Sequence, residues 1–325
     1  MKFLIIGLGS MGKRRIRNLQ YLKIKNIIGF DPRLDRREEA ENKYGIATVD
    51  DLKKVNIGDL DAIIISTPPD THNVHMAFAI KHSKPAFVEA SVVLGDLERL
   101  NGDAIKKKVL IAPSCTSRFH SSIRTIKELV QGGKYGKVTN FSYHCGLYLP
   151  DWHPWEKVTD YYVSKKETGA AREIVPFELT WLWDIVGIPK KVMAYRASTM
   201  DVGAPIDDTY AIAMNFGNML GTMVIDVVSR YGIRSLLLNM EHGQIMWRWD
   251  ENFVKLYDSR HKRWTKLRQS QGKSARGYNK NISEDMYVDE MRAFISATKG
   301  KRKFPNTLKD DIVILKSLIA MEKTK

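Results

Sequence analysis

Apolar residues arrive in short, uninterrupted runs through the first third of the chain: Phe3-Leu4-Ile5-Ile6, Ile27-Ile28-Gly29-Phe30, Asp61-Ala62-Ile63-Ile64-Ile65 after its leading acid, Ala86-Phe87-Val88 and residues 109–112. Each is too short for a helix and lacks the alternation of a half-exposed strand, so each reads as a strand buried on both faces of a parallel sheet. Segments with helical spacing lie between them: 11–22, then 32–44 with Pro32 in its first turn and Gly45 at its end, then a stripe of Val74, Ala77 and Phe78 behind Asp70, then 96–107. A poorer strand falls at 46–49. This alternation predicts an α/β, doubly wound parallel sheet whose right-handed crossovers leave the ligand-binding strand ends on one edge. The texture changes after Ser114. A helix over 120–131 and a turn at Gly132-Gly133 lead into longer alternating runs at 138–149, 210–216, 222–228, 235–241 and 244–249, which predict an α+β domain with a large open, mostly antiparallel sheet. At 325 residues the chain exceeds a comfortable single core, and the texture change divides it into domains at 1–117 and 118–325.

The first apolar run carries chemistry with it. Gly7, Gly9 and Gly12 follow at G-x-G-x-x-G spacing, with Ser10 and Met11 inside the turn, and Asp31 closes the second run nineteen residues after Gly12. Strand, glycine turn, helix, strand and acid in that order are what a Rossmann dinucleotide site requires. The glycines turn the chain tightly and bring bare backbone to a pyrophosphate, the helix N-terminus faces the anion, and the acid accepts from the adenosine ribose. Asp31 would repel a 2'-phosphate and so favours NAD over NADP, although Arg33 offsets part of that charge. Ser66-Thr67-Pro68 and Glu89-Ala90-Ser91 end later strands on the same edge.

Composition changes the picture little. The 43% hydrophobic and 27% charged residues are those of an ordinary globular protein. The net charge of +15 invites a polyanion, yet bases and acids are mostly interspersed and no nucleic-acid-binding motif is present, so nucleic acid is not the expected partner. The acid-free basic run over 260–280 reads as an exposed, mobile loop. Cys115 and Cys145 cannot form a disulfide framework, which points to a reducing cytoplasm. No apolar run reaches the ~18 residues that span a membrane, and no signal-peptide pattern opens the chain. His72 and His75 lie three apart with no third ligand at metal-binding spacing, so no metal is expected.

The order of motifs resembles the glucose-fructose oxidoreductase/inositol dehydrogenase (Gfo/Idh/MocA) family over essentially the whole chain. The marks are Gly7-Leu8-Gly9-Ser10-Met11-Gly12, Ser66-Thr67-Pro68 with His72 downstream, Arg118-Phe119-His120, the stretch Tyr148-Leu149-Pro150-Asp151-Trp152-His153-Pro154-Trp155, and Tyr287, Glu290 and Phe294 before a final helix from about residue 309. The resemblance implies NAD(P)-dependent hydride transfer at a carbinol carbon of a sugar, polyol or nucleotide sugar. The substrate would be covered by the sheet domain, and the protein would be a homodimer or homotetramer through the outer sheet face. It also implies that Ser66, Thr67, Pro68, His72, Glu89 and Ala90 border the cofactor and that Tyr148, Trp152 and His153 border the substrate, with Arg118 and Arg172 either holding a substrate carboxylate or phosphate or serving as ion-pair partners.

The chain departs from the family where proton transfer is expected. Ala90 replaces the lysine of the Glu-Lys-Pro signature, Phe177 the expected histidine and Thr180 the expected aspartate. Such side chains do not titrate near neutrality. Two substitutes offer themselves: Tyr162 with Lys166, or Tyr161 with Lys165, at i and i+4 where a helix would set ammonium beside phenol; or Glu178, His153 or His144 as base. A tightly held cofactor recycled within one turnover is a further possibility that the family offers. The alternative is a catalytically silent dinucleotide- or sugar-binding member acting as a sensor or assembly partner.

Overall fold

Burial on both faces dictates the first sheet. The computed structural model describes residues 1–152, 156–270, 272, 274 and 283–323. In chain order the elements are β1 (Lys2–Ile6), α1 (Ser10–Tyr21), β2 (Asn26–Phe30), α2 (Leu34–Tyr44), β3 (Ala47–Val49), β4 (Ala62–Ile65), α3 (His72–Lys81), β5 (Ala86–Val88), α4 (Leu97–Lys107), β6 (Ile111–Pro113), α5 (Ser121–Gln131), β7 (Val138–Tyr148), α6 (Ala170–Val186), β8 (Lys191–Ala197), β9 (Thr209–Asn215), β10 (Leu220–Asp226), β11 (Val228–Met240), β12 (Gly243–Arg248), β13 (Phe253–Asp258), β14 (Arg263–Arg268), α7 (Glu284–Thr298) and α8 (Leu308–Glu322). Two units emerge: Met1–Thr116 with Asp285–Val313, and Ser117–Glu284 with Ile314–Lys325.

Unit 1 holds a six-stranded sheet ordered β3-β2-β1-β4-β5-β6, with every pair parallel. Phe3 to Ile6 and Ala62 to Ile65 are fully buried at its centre, which is why these runs carry no polar position. The order reverses direction between β1 and β4, and ligands of such sheets bind at that switch point beyond the strand ends. The sequence division gave all of 118–325 to the second domain; by contacts, Asp285–Val313 belongs to unit 1. There Phe294 and Phe304 pack against Phe87 of β5, with ring centroids 5.7 Å and 6.2 Å away.

Unit 2 holds an eight-stranded sheet ordered β14-β13-β12-β11-β7-β10-β9-β8, antiparallel except for β7 with β10. One face buries Phe141, Tyr143, Met223, Ile212, Leu236 and Ile245, the face on which α6 lies. The register sets Met193, Ala213, Thr222, Ser142, Leu237 and Met246 in one row across the other face, where Met193, Leu237 and Met246 are exposed. The expected loop over 260–280 is corrected in part, because residues 263–268 form edge strand β14, while 271, 273 and 275–280 lie outside the described residues. Five of the six β14 residues are exposed, so the strand lacks the apolar alternation that would reveal it. Its Arg263, Lys266 and Arg268 also discourage further strand pairing at that edge.

Candidate active site

The glycine turn of unit 1 fits a dinucleotide for steric reasons. Gly7 has φ +92°, and a Cβ there would lie 2.5 Å from the Ser66 carbonyl oxygen; at Gly12 a Cβ would lie 1.9 Å from the Gly7 oxygen. No side chain fits at either place, so β1, the turn and α1 pack as only glycine allows. Gly9 caps α1 without a side chain, and the first turn holds no acid, which keeps the positive end of the helix available to an anion.

Asp31 is almost fully buried. Its Oδ2 accepts from the Leu8 amide (2.8 Å) and its Oδ1 from the Arg33 amide (3.0 Å), tying the β2 exit to the glycine turn. The Arg33 side chain, expected to offset the Asp31 charge, makes a two-pronged pair with Asp35. Arg36 also approaches the acid, with Nη1 3.6 Å from Asp31 Oδ2 and 3.7 Å from where a Gly9 Cβ would stand. Sequence reasoning passed over Arg36 among its basic neighbours; one helical turn back from Arg36 comes Pro32, beside the acid, and that spacing was the available signal.

The other strand ends in unit 1 are braced by their own side chains. His72 is buried, with Nε2 2.9 Å from the Thr67 carbonyl oxygen, so it supports the Thr67-Pro68 turn from behind. Glu89 receives two hydrogen bonds from Arg15 (2.7 and 2.8 Å) and one from Ser66 Oγ (3.3 Å). Arg15 also donates to Glu290 (2.9 Å). Glu290 in turn accepts from Ser114 Oγ (3.0 Å), the Cys115 amide (2.7 Å) and Thr116 Oγ1 (2.7 Å). Burial pushes the Glu290 carboxyl upward, opposed by Arg15. This network holds the Glu89-Ala90-Ser91 exit in place but puts no titrating group at Ala90.

In unit 2 the structure corrects both catalytic candidates. Tyr162 and Lys166 do not share a helix: they belong to separate short 3-10 turns, Tyr162–Ser164 and Lys166–Thr168, divided by Lys165 in an extended conformation with ψ 145°. The i, i+4 ammonium-phenol pair therefore does not form, and Lys166 is exposed. Tyr162 Oη instead donates to Glu173 Oε1 at 3.1 Å, in the first turn of α6. Glu178 is enclosed, with 0% exposure. It accepts from Arg234 Nε (2.8 Å), Tyr143 Oη (2.7 Å) and Trp181 Nε1 (2.6 Å), so its oxygens are saturated and out of reach of a substrate. Burial, reinforced by Glu178, pushes the Tyr143 phenol up and keeps it a donor. For the neighbouring Tyr161, burial and then Glu156 and Glu173 push the phenol up to about 12.

Arg118 donates to the Thr180 carbonyl oxygen (2.9 Å) and approaches Asp184. Arg172 pairs with Glu322 (2.5 and 3.2 Å) and donates to the Glu167 carbonyl oxygen (2.5 Å). Both are thus ion-pair partners within unit 2. Thr180 bonds back to the Pro176 carbonyl oxygen (2.8 Å). His144 lies on the outward sheet face, 2.7 Å from Asp226 Oδ2. Tyr148 ends β7, and Trp152 follows its turn; His153 lies outside the described residues. No group of three or more metal-ligating side chains occurs among the described residues, nor any helix long and apolar enough to cross a membrane.

Burial lowers both His72 and His120 to about 4 from 6.5. The unfolded chain therefore binds more protons than the folded one between about pH 4 and 6.5, and stability falls as pH drops through that window. The penalty is on the order of 1–3 kcal/mol per histidine. The melting temperature is expected to fall steadily from pH 6.5 to 4.5, and less steeply in His72→Gln. An unchanged acid slope in that variant would show that His72 is not the group responsible.

Residues 1–112 match a family described as "Oxidoreductase family, NAD-binding Rossmann fold", and residues 123–246 match the "GFO/IDH/MocA C-terminal domain". A myo-inositol 2-dehydrogenase from Thermotoga maritima is 28% identical over 142 residues, 42% of each chain. An inositol 2-dehydrogenase from Burkholderia lata is 23% identical over 291 residues, 78% of this chain and 82% of that one. Among solved structures, an oxidoreductase from Agrobacterium radiobacter, in complex with NAD+, L-tartaric acid and magnesium, superposes with TM-score 0.86 at 14% identity, covering 100% of this chain and 96% of that one. A UDP-N-acetylglucosamine 3-dehydrogenase from Acidithiobacillus ferrooxidans does so with TM-score 0.77 at 14% identity, covering 99% and 96%. These structures share the fold.

Proposed function

This chain belongs to the GFO/IDH/MocA family of oxidoreductases, and from that premise we propose that it is an NAD(P)-dependent dehydrogenase or reductase acting at a carbinol carbon of a sugar, polyol or nucleotide sugar. The observation that carries the proposal is the steric demand for glycine at Gly7 and Gly12 beside a buried Asp31. The turn and the α1 N-terminus would receive the pyrophosphate, and Asp31 the adenosine ribose. The bound nicotinamide supplies the hydride donor or acceptor.

The chain's own residues manage the proton. Tyr162 Oη donates its hydrogen to Glu173, and a phenol oxygen can accept from a substrate hydroxyl as well as donate. As that hydroxyl gives up its proton to Tyr162, the phenol proton passes to the Glu173 carboxylate, and the reverse order serves reduction. Tyr148, Trp152 and His153 are proposed to border the sugar.

NAD is preferred in this reading because the Asp31 carboxylate is partly, not wholly, balanced by Arg36. The test is to assay the purified protein for retained NAD or NADH and to follow reduced-cofactor absorbance against sugars, polyols and nucleotide sugars, with NAD and NADP titrated at fixed salt. Absorbance change with any of these supports the reading, and equal affinity for NADP would overturn the NAD preference. Binding without turnover across the panel would favour a silent, ligand-binding role instead, which Ala90, Phe177 and Thr180, none of which titrates near neutrality, recommend.

Assembly and location follow the same reading. The outward sheet row with exposed Met193, Leu237 and Met246 is proposed to bury itself on a second copy. Leu237→Lys is expected to shift the protein toward monomer in sedimentation, and a wild type already monomeric at ~50 μM, a concentration at which a stable interface is occupied, would contradict the assembly. The buried Cys115 and Cys145, neither in a disulfide, suit a cytoplasmic location, which cell fractionation would check.

A further inference from the structure

Arg230 is exposed yet held in one place. Its guanidinium carbon lies 3.9 Å from the centroid of the Tyr148 ring. The nearby Arg234 and Arg248 are paired with Glu178 and Asp250, but no carboxylate among the described residues pairs with Arg230. The backbone explains its direction. The β11-β7 register slips between Val228 and Ile233, so residues 229–232 stand out of the ladder, and a bulge of this kind re-aims side chains. Asp226 Oδ1 accepts from the Val228 (3.1 Å) and Ser229 (2.8 Å) amides at one end of the bulge. Trp249 Nε1 donates to the Gly232 carbonyl oxygen (3.0 Å) at the other.

A guanidinium lying against an aromatic face keeps its edge N–H groups, and that planar fork matches the paired oxygens of a carboxylate or phosphate. Its platform, Tyr148, leads into the Leu149–Asp151 turn and Trp152. We propose that Arg230 on Tyr148 is an anion subsite and that the substrate is a sugar derivative carrying a phosphate or carboxylate group. The proposal rests on the reading above that Tyr148 and Trp152 border the sugar. The net charge of +15 draws such substrates toward the protein.

Calorimetric titration of the full chain loaded with NADH tests the subsite, with UDP-N-acetylglucosamine as the phosphate probe, D-glucuronate as the carboxylate probe and myo-inositol as the uncharged reference. At least one anionic probe is expected to bind about tenfold or more tighter than myo-inositol, and Arg230→Met to remove about tenfold of that affinity. Arg230→Lys should keep part of it, since lysine retains the charge without the fork. NADH affinity, read on unit 1, checks that the variants fold, and Tyr148→Leu provides a second route by removing the platform alone. The proposal is overturned if neither anionic probe outbinds myo-inositol, or if Arg230→Met and Tyr148→Leu both leave anionic affinity within about twofold. Because calorimetry reads binding without turnover, an anion held through Arg230 with no change in reduced-cofactor absorbance would leave this subsite standing and remove the oxidoreductase reading.

Discussion

Glu178→Leu is expected to destabilise unit 2 by about 3–5 kcal/mol, the range for removing one partner from a buried, hydrogen-bonded ion pair. The wild-type carboxylate is fully enclosed, and Arg234, Tyr143 and Trp181 all donate to it. Leucine is close in volume, so the loss is one of polar satisfaction: a cation, a phenol and an indole would each lose an acceptor, at about 1–3 kcal/mol for each neutral group left unmade. The Arg234 side chain is 16% exposed, so water recovers part of this and the lower half of the range is the better guide. All seven tryptophans fall within unit 2, so urea unfolding followed by tryptophan fluorescence reports this unit. Adding Arg234→Met to Glu178→Leu should restore part of the stability, because the stranded charge goes with it. A Glu178→Leu unfolding midpoint equal to wild type, with unchanged slope, would refute the account.

That same carboxylate shows where sequence reading reached and where it stopped. The paired apolar runs and glycine spacing made β1, α1 and β2 legible, because burial on both faces and a Cβ-free turn leave only those residue types. Asp31 was legible for the same reason: its position is fixed by the strand it ends. Glu178 was also visible, but whether a glutamate on a helix faces solvent, substrate or a buried arginine depends on partners 35 and 56 residues away. Glu290 reaches Arg15 across 275 residues, and no local pattern announces such a contact. β14 went unread because an edge strand exposed on both faces loses the apolar period that defines a strand in sequence. The segment around Tyr162 misled in the opposite direction: i, i+4 spacing was present, but the backbone between the residues is not helical. Spacing carries geometry only when the element that converts it into distance exists.

Glu173 emerges from that correction as the partner sequence reading missed, and the second large effect is expected there. Tyr162→Phe should lower kcat by about 10²–10⁴-fold, the usual contribution of a positioned proton-transfer group, while leaving NADH affinity unaltered because unit 1 holds the dinucleotide. Glu173→Gln keeps the size of the side chain and its capacity to accept the Tyr162 hydrogen bond, yet it cannot take up the proton, so its kcat should fall to a comparable extent. The two losses should not add: once either member is gone the relay is broken, and Tyr162→Phe with Glu173→Gln is expected to resemble the worse single variant. Lys166→Met distinguishes this account from the ammonium-phenol pair that spacing alone suggests. With Lys166 exposed on a separate turn, its loss should change kcat by less than about twofold, well under the tenfold that corresponds to 1.4 kcal/mol. These rates are to be measured on whichever substrate the absorbance panel identifies. A large loss in Lys166→Met together with a silent Glu173→Gln would return the proton to the lysine and show that the turn separating Tyr162 from Lys166 rearranges when substrate binds.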